Sequence, residues 1–102
     1  MIIVNSLSEI EEYIKENKYV LLFAGDSACS TSSALDNKIE EFAEKNPQVK
    51  VLFTLLEALP ALASQHMIFT APAVILFIDG KEVYREGRFV EFEKLARIMG
   101  RF

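Results

Sequence analysis

Cys29 is the only cysteine in this sequence, and its position makes it the side chain best suited to covalent chemistry. It follows the apolar run at 19–24 and precedes hydroxyl residues at 30–33, after which the pattern becomes helical. A thiol at a helix N-terminus faces unpaired backbone N–H groups and the positive end of the helix dipole, which both favour the thiolate. We therefore expect Cys29 to be a nucleophile whose anion is stabilised by the Ser32 hydroxyl and the first helical N–H groups.

Two considerations weigh against a reactive thiol. The carboxylate of Asp26 precedes the cysteine by three residues. It would raise the thiol pKa above its unperturbed value of about 8.5, although we expect the helix N-terminus to dominate. A single cysteine is also commonly an inert small apolar residue, and serines at a helix start commonly act only as caps.

The sequence contains one histidine, His66, so a catalytic pair of Cys29 and His66 is formally open. We expect His66 to lie on a mostly solvated helix face instead. One cysteine and one histidine do not form a metal ligand set, so we expect no metal site.

Composition excludes several classes of partner. The 102 residues, 51% of them hydrophobic, suit a single domain spanning 1–102 around one core. The net charge is −4 without a basic stripe, so we expect neither nucleic acid nor a membrane surface as a partner. The apolar runs are too short to cross a bilayer, and the opening residues lack the basic character of a signal peptide. Because one cysteine forms no internal disulfide, we expect a cytoplasmic protein.

Apolar periodicity predicts five strands and four helices. The strands are expected at 2–4, 19–24, 49–54, 73–78 and 81–85, with an Asp79-Gly80 hairpin joining the last two. The helices are expected from Ser6 or Ser8 to about residue 18, at 30–45, at 60–66, and at the C-terminus with an apolar stripe beginning at Phe89. The order βαβαβαββα indicates an α/β fold, in which four helices flank a central mixed five-stranded sheet. The core aromatic residues are expected to be Phe23, Phe42, Phe53, Phe77 and Phe92.

Over nearly its whole length the chain resembles the thioredoxin-like family. Cys29-Ser30-Thr31-Ser32 falls where that family carries Cys-x-x-Cys, and Ala71-Pro72 falls at its cis-proline loop. The Asp79-Gly80 turn and Gly87 before the last helix also match. The resemblance implies a thioredoxin-like fold in which Thr70, Ala71 and Pro72 lie beside Cys29 and hold the backbone of an extended substrate.

The sequence departs from the family pattern at the second thiol. Ser32 replaces the resolving cysteine, Thr31 the proline inside the motif, and Ala28 the preceding tryptophan. Leu22 stands approximately where the family has a buried aspartate. The resemblance therefore implies a monothiol variant, which exchanges mixed disulfides with a low-molecular-weight thiol as co-substrate and needs no other cofactor. Its partners would be disulfide-containing or S-thiolated proteins.

Other functions stay open at this point. The chain also fits a thioredoxin-fold interaction module without catalysis, with an apolar surface formed by Met67, Ile68 and Phe69. An exposed Cys29 could link two chains through a disulfide, and the oligomeric state is not specified by the sequence. A shared iron–sulfur cluster is not expected, because related monothiol proteins that hold one carry Cys-Gly-Phe-Ser instead of Cys29-Ser30-Thr31-Ser32.

Overall fold

The computed structural model of the chain describes residues 1–27 and 32–102, without the side chains of Ser32 and Ser33. These residues form five strands, four α-helices and one short 3-10 turn. In chain order they are β1 (Ile2–Ile3), α1 (Leu7–Glu16), β2 (Tyr19–Gly25), α2 (Ser32–Lys45), β3 (Val49–Leu55), the 3-10 turn (Leu56–Ala58), α3 (Ala61–His66), β4 (Ala73–Ile78), β5 (Lys81–Glu86) and α4 (Phe92–Met99). The predicted α/β fold is therefore confirmed; the predicted start of α2 at Ser30 lies outside the described residues.

The strands form one mixed sheet in the order β1-β3-β2-β4-β5. β3 runs parallel to both β1 and β2, whereas β4 runs antiparallel to β2 and β5. Gly25 at the end of β2 pairs with Leu55 at the end of β3, and Ala24 pairs with Ala73 at the start of β4. The segments that follow β2 and β3 and the segment that precedes β4 therefore meet at one edge of the sheet.

Local signals that the sequence carries explain where several elements begin and end. Ser6 caps α1, since its hydroxyl oxygen accepts the Glu9 N–H at 3.2 Å, and the Glu9 carboxylate in turn accepts the Asn5 N–H at 3.1 Å. The β4–β5 hairpin turns at Asp79 and Gly80, whose φ values of 53° and 82° place both in the left-handed region. That region suits the Asp-Gly pair of a tight hairpin.

Two apolar clusters cover the two faces of the sheet. The first lies on the side of α1 and α3, and the second on the side of α2 and α4. Because side chains alternate along a strand, β2 contributes Val20, Leu22 and Ala24 to the first cluster and Leu21 and Phe23 to the second. All five are fully buried, as expected for a central strand with helices on both faces.

The final helix begins later than its apolar stripe predicts. Phe89 was expected in that stripe, but it lies in the loop before α4 and is 83% exposed. The residue before the helix, Glu91, is extended, and its N–H donates to the Tyr84 hydroxyl at 3.0 Å. This contact with β5 fixes the entry to α4 at Phe92, which leaves Phe89 outside the helix.

Asp36 on α2 has a side-chain oxygen that is buried without a hydrogen-bond partner. Its Oδ1 atom is buried and is the one such side-chain atom without a hydrogen-bond partner in the described part of the chain. Burial, assisted by the nearby charge of Glu40, raises the pKa of this carboxyl above its ordinary value. The ionised form is therefore less favourable in the folded protein than in the unfolded chain.

We expect Asp36→Asn to stabilise the protein at neutral pH. Because the pKa of Asp36 is raised in the folded protein, the folded protein takes up a proton at this carboxyl at a higher pH than the unfolded chain does. The ionised carboxyl therefore lowers the stability of the fold in full only above the folded-state pKa. Urea unfolding at pH 7 should show the variant more stable, because the amide keeps the shape of the carboxyl group without its charge. This advantage should vanish below pH 3.8, the ordinary value.

Glu44→Gln is the matched control, because it removes the same charge from an exposed position on the same helix. The same pH dependence in both variants would show that net charge, and not burial of Asp36, is responsible.

Candidate functional site

The candidate site lies where β2 and β3 end and β4 begins. The structure describes the chain after β2 as far as Ser27 and resumes with the backbone of Ser32, the first residue of α2. The Cys29 thiol and the Ser32 hydroxyl lie outside the described residues, so their predicted contact stays a prediction. The site is therefore described through Ser27, the loop before β4 and the residues that contact them.

Ser27 is held by the side chain of Glu57. The Ser27 N–H donates to Glu57 Oε1 at 2.9 Å, and the Ser27 hydroxyl donates to Oε2 at 2.6 Å. These bonds, the hydroxyl bond foremost, lower the pKa of the Glu57 carboxyl, so it is ionised at neutral pH. Sequence reasoning missed this contact, because the two residues are thirty positions apart.

The substrate loop of the prediction, Thr70, Ala71 and Pro72, comes directly before β4. The Ala71–Pro72 peptide bond is cis, Thr70 is exposed, and Ala71 and Pro72 are half-buried. Pro72 precedes Ala73, which pairs with Ala24 of β2. The structure thus places this loop at the same sheet edge as the segment that leads to Cys29.

The loop is fixed at its other end by the residues that follow α3. Met67 ends that helix in the left-handed conformation, with φ of 54°, and the next N–H, that of Ile68, donates to the Leu62 carbonyl at 3.2 Å. Ile68 is 1% exposed, whereas its neighbours Met67 and Phe69 are 69% and 68% exposed. The predicted apolar surface of Met67, Ile68 and Phe69 is wrong in one member, because Ile68 packs into the core below α3.

Arg85 of β5 binds the same segment from the side. Its guanidinium donates to the carbonyls of His66 at 2.6 Å and Met67 at 3.0 Å. It also forms a two-point pair with Glu82 at 2.9 and 2.8 Å, which raises the pKa of Arg85 and lowers that of Glu82. Two charge-assisted hydrogen bonds therefore attach the C-terminal end of α3, and with it the start of the loop, to the sheet, and the pair with Glu82 orients the guanidinium that donates them.

Shallow grooves lie on both sides of Pro72. One, of about 370 Å³, lies between Leu35 of α2 and the loop before α4, including Phe89. The other, of about 330 Å³, lies between Thr70 and Gly87. Gly87 lies close to the loop here, since a Cβ atom added to it would be 3.4 Å from the Pro72 carbonyl oxygen.

His66 is not part of this site. Its side chain is only 14% exposed, so the expectation of a solvated face is wrong. Nε2 lies 2.7 Å from a carboxylate oxygen of Glu11 on α1, and the ring meets the edge of Phe77 at 5.7 Å between centroids. Phe77 belongs to the cluster on the α1 and α3 side, on the face opposite α2. This position argues against a Cys29–His66 pair.

Leu22 also lies on the face away from α2. It packs in the α1 and α3 cluster, so an acid at this position would lie on that face of the sheet. The residues of β2 that face α2 are Leu21 and Phe23, and both are hydrocarbon. β2 therefore carries no carboxylate on either face.

Metal-ligand groups and membrane-spanning helices are both absent from the described ranges. Residues 1–27 and 32–102 contain no group of three or more His, Cys, Asp or Glu side chains that could hold a metal ion. No helix within those ranges has the length and apolar character needed to cross a bilayer.

Comparison with known proteins identifies the family. No protein-family model matches the chain. A thioredoxin-like protein of Bacillus subtilis, YdfQ, is 31% identical over 97 residues, which cover 95% of this chain and 87% of that protein. The structure of a mutant thioredoxin from Halobacterium salinarum superposes with a TM-score of 0.85 at 22% identity, covering 99% of this chain and 88% of that one.

A third match comes from a study of thiol resolution in yeast mitochondrial 1-Cys peroxiredoxin by glutathione and thioredoxin systems. That chain superposes with a TM-score of 0.84 at 16% identity, and the match covers 100% of this chain and 95% of that one. The two structural matches confirm the thioredoxin fold, and the Bacillus relative extends the likeness to sequence. The chain therefore belongs to the thioredoxin-like family.

Proposed function

We propose that this protein carries out thiol–disulfide exchange through Cys29 alone, on mixed disulfides between proteins and a low-molecular-weight thiol. Family membership supports a thioredoxin-type redox role. The observation that carries the proposal is the register of β2 with β4: Ala24, five residues before Cys29, pairs with Ala73, and Ala73 directly follows Pro72. A disulfide held over the Pro72 loop would therefore lie close to the segment that carries the thiol.

The exchange consists of two displacements at sulfur. The Cys29 thiolate attacks the small-thiol sulfur of the mixed disulfide, and the substrate cysteine leaves as a thiolate that takes up a proton from water. A second small thiol, as its thiolate, then attacks the sulfur of the small thiol now bonded to Cys29. This step releases the Cys29 thiolate and a small-molecule disulfide, so that the small thiol supplies both electrons. Ser32 offers a hydroxyl where a second thiol would otherwise resolve the intermediate.

Each proposed site residue has a distinct task in this scheme. Cys29 is the nucleophile, and the N–H groups at the start of α2 together with the Ser32 hydroxyl would stabilise its thiolate. Thr70, Ala71 and Pro72 would hold the substrate backbone. The scheme needs a reducing pool of small thiols, which accords with a cytoplasmic location and with S-thiolated proteins as partners.

A second candidate, a binding module without catalysis, is favoured by one observation. Met67, Phe69 and Phe89 are 69%, 68% and 83% exposed, and all three flank the grooves beside Pro72. Large exposed apolar side chains that cluster in this way are typical of docking surfaces. The pKa of the Cys29 thiol distinguishes the two candidate functions, because only exchange requires a stabilised thiolate.

Replacing the proposed nucleophile should abolish exchange. Cys29→Ser should remove all turnover of a synthetic peptide whose cysteine is disulfide-bonded to glutathione, with glutathione as reductant. In the wild type, the pH dependence of iodoacetamide alkylation should give a Cys29 pKa below the unperturbed value of about 8.5. Ser32→Ala should raise that pKa, because the scheme then loses one hydrogen bond to the thiolate.

Ser33→Ala is the matched control for Ser32→Ala, since it removes a neighbouring hydroxyl that the scheme does not use. A thiol pKa at or above that of a free cysteine peptide, together with a wild type that shows no turnover above the uncatalysed rate, would contradict exchange. It would favour the binding module instead.

Arg85→Lys should weaken substrate binding without changing the thiol. A lysine cannot reproduce the bonds of the guanidinium to two carbonyls and to both oxygens of Glu82, so the loop before β4 should be less well ordered. We expect KM for the mixed-disulfide peptide to rise about 3- to 10-fold, in line with about 1 kcal/mol for lost hydrogen bonds. The alkylation rate of Cys29 should stay unchanged. Arg97→Lys, on an exposed face of α4, is the control; an equal rise in KM there would refute the assignment.

A further inference from the structure

The contact between Glu57 and Ser27 joins two segments that both end at the candidate site. Glu57 lies in the 3-10 turn that follows β3, and Ser27 lies in the segment that follows β2. Because Gly25 pairs with Leu55, the two strands end side by side, and the carboxylate reaches across to the neighbouring segment. The contact is therefore set by the register of the sheet.

The geometry of this contact restricts the chain more than a single hydrogen bond would. One carboxylate oxygen accepts the backbone N–H of Ser27 at 2.9 Å, and the other accepts its hydroxyl at 2.6 Å. Both bonds are charge-assisted, a class roughly twice as strong as bonds between neutral groups. Two bonds to the main chain and side chain of one residue fix the orientation of its peptide plane as well as its distance.

Ser27 precedes Cys29 by only two residues. Two residues of extended chain span at most about 7 Å, so the orientation of Ser27 constrains where the thiol is presented. The ionised carboxylate of Glu57 is also brought into this region, and the Asp26 side chain contacts it as well. Negative charge near the segment opposes the formation of a thiolate.

We propose that Glu57 is a positioning residue: it fixes the orientation of Ser27 in the segment that leads to Cys29, and so favours exchange with a disulfide on the Pro72 loop, at the cost of a smaller thiolate fraction. This inference rests on the proposed exchange function and adds to it a residue outside the Cys-x-x-Ser segment and the proline loop. The two parts of the role, geometry and charge, are separable by substitution.

Three variants separate geometry from charge. In Glu57→Gln the amide can still accept the Ser27 N–H and donate to the Ser27 hydroxyl oxygen, so geometry is kept while the charge is lost. Glu57→Ala loses both, and Ser27→Ala loses one of the two bonds while the charge stays. Glu12→Gln, on the exposed face of α1, controls for net charge.

Two measurements separate the effect of the Glu57 charge from the effect of its hydrogen bonds. The pH profile of iodoacetamide alkylation gives the thiolate fraction of Cys29, and kcat/KM for the glutathionylated peptide gives the effect on exchange. We expect the thiolate fraction at pH 7 to rise about 2-fold in both Glu57 variants, since a charge within about 10 Å is only partly screened. Dividing kcat/KM by the thiolate fraction removes the effect of charge on the thiol. We expect this quotient to fall about 10-fold in Glu57→Ala, which loses both bonds, and about 3-fold in Ser27→Ala, which loses one. In Glu57→Gln, which keeps both bonds, it should fall by less than about 2-fold.

Equal values of this quotient in wild type, Glu57→Ala and Ser27→Ala would overturn the positioning role while leaving exchange through Cys29 intact. Should Glu57→Ala fail to fold, the comparison of Ser27→Ala with wild type decides in the same way. A wild type without exchange activity would instead refute the proposed function. In that case an unchanged thiolate fraction in Glu57→Gln would also refute the charge effect, and a rise of about 2-fold would support it.

Discussion

The arrangement of this protein depends on β2 being buried on both faces and paired on both edges. Its side chains from Val20 to Ala24 are fully buried, and its backbone is bonded to parallel β3 on one side and antiparallel β4 on the other. A slip by one residue would exchange the two clusters of apolar side chains, which makes the register strongly specified. That register is what brings the ends of β2 and β3 to the start of β4, and so assembles the candidate site from three distant parts of the chain.

The departures from the usual two-thiol pattern are consistent with one another. A serine stands where the family pattern has a second thiol, and Leu22 stands approximately where that pattern has a buried acid. A buried carboxylate without a thiol to serve would be costly, because an ionised group loses its hydration there. Acidic groups are found instead at the open end of the site, where Asp26 and Glu57 meet. Chemistry through one sulfur needs no buried acid, which agrees with this distribution.

Much of the fold could be predicted because its signals are local. The capping pair of Ser6 and Glu9, the Asp79-Gly80 turn and the apolar alternation each act within a few residues, and the structure retains all of them. The errors concern side chains whose surroundings are made by distant segments. His66 is covered because α1 brings Glu11 to it, and Ile68 is buried by the core below α3. The two contacts that order the site, Glu57 with Ser27 and Arg85 with the end of α3, had no local signature.

Arg85 has a consequence beyond the loop that it holds. It lies on β5, an edge strand of the sheet, whose exposed residues Lys81, Glu82, Arg85 and Glu86 are all charged. An edge strand offers unpaired backbone groups to any other extended chain, and charges along it discourage such additions. The same guanidinium that binds the end of α3 thus also places a charge on an exposed edge of the sheet, where charges discourage aggregation.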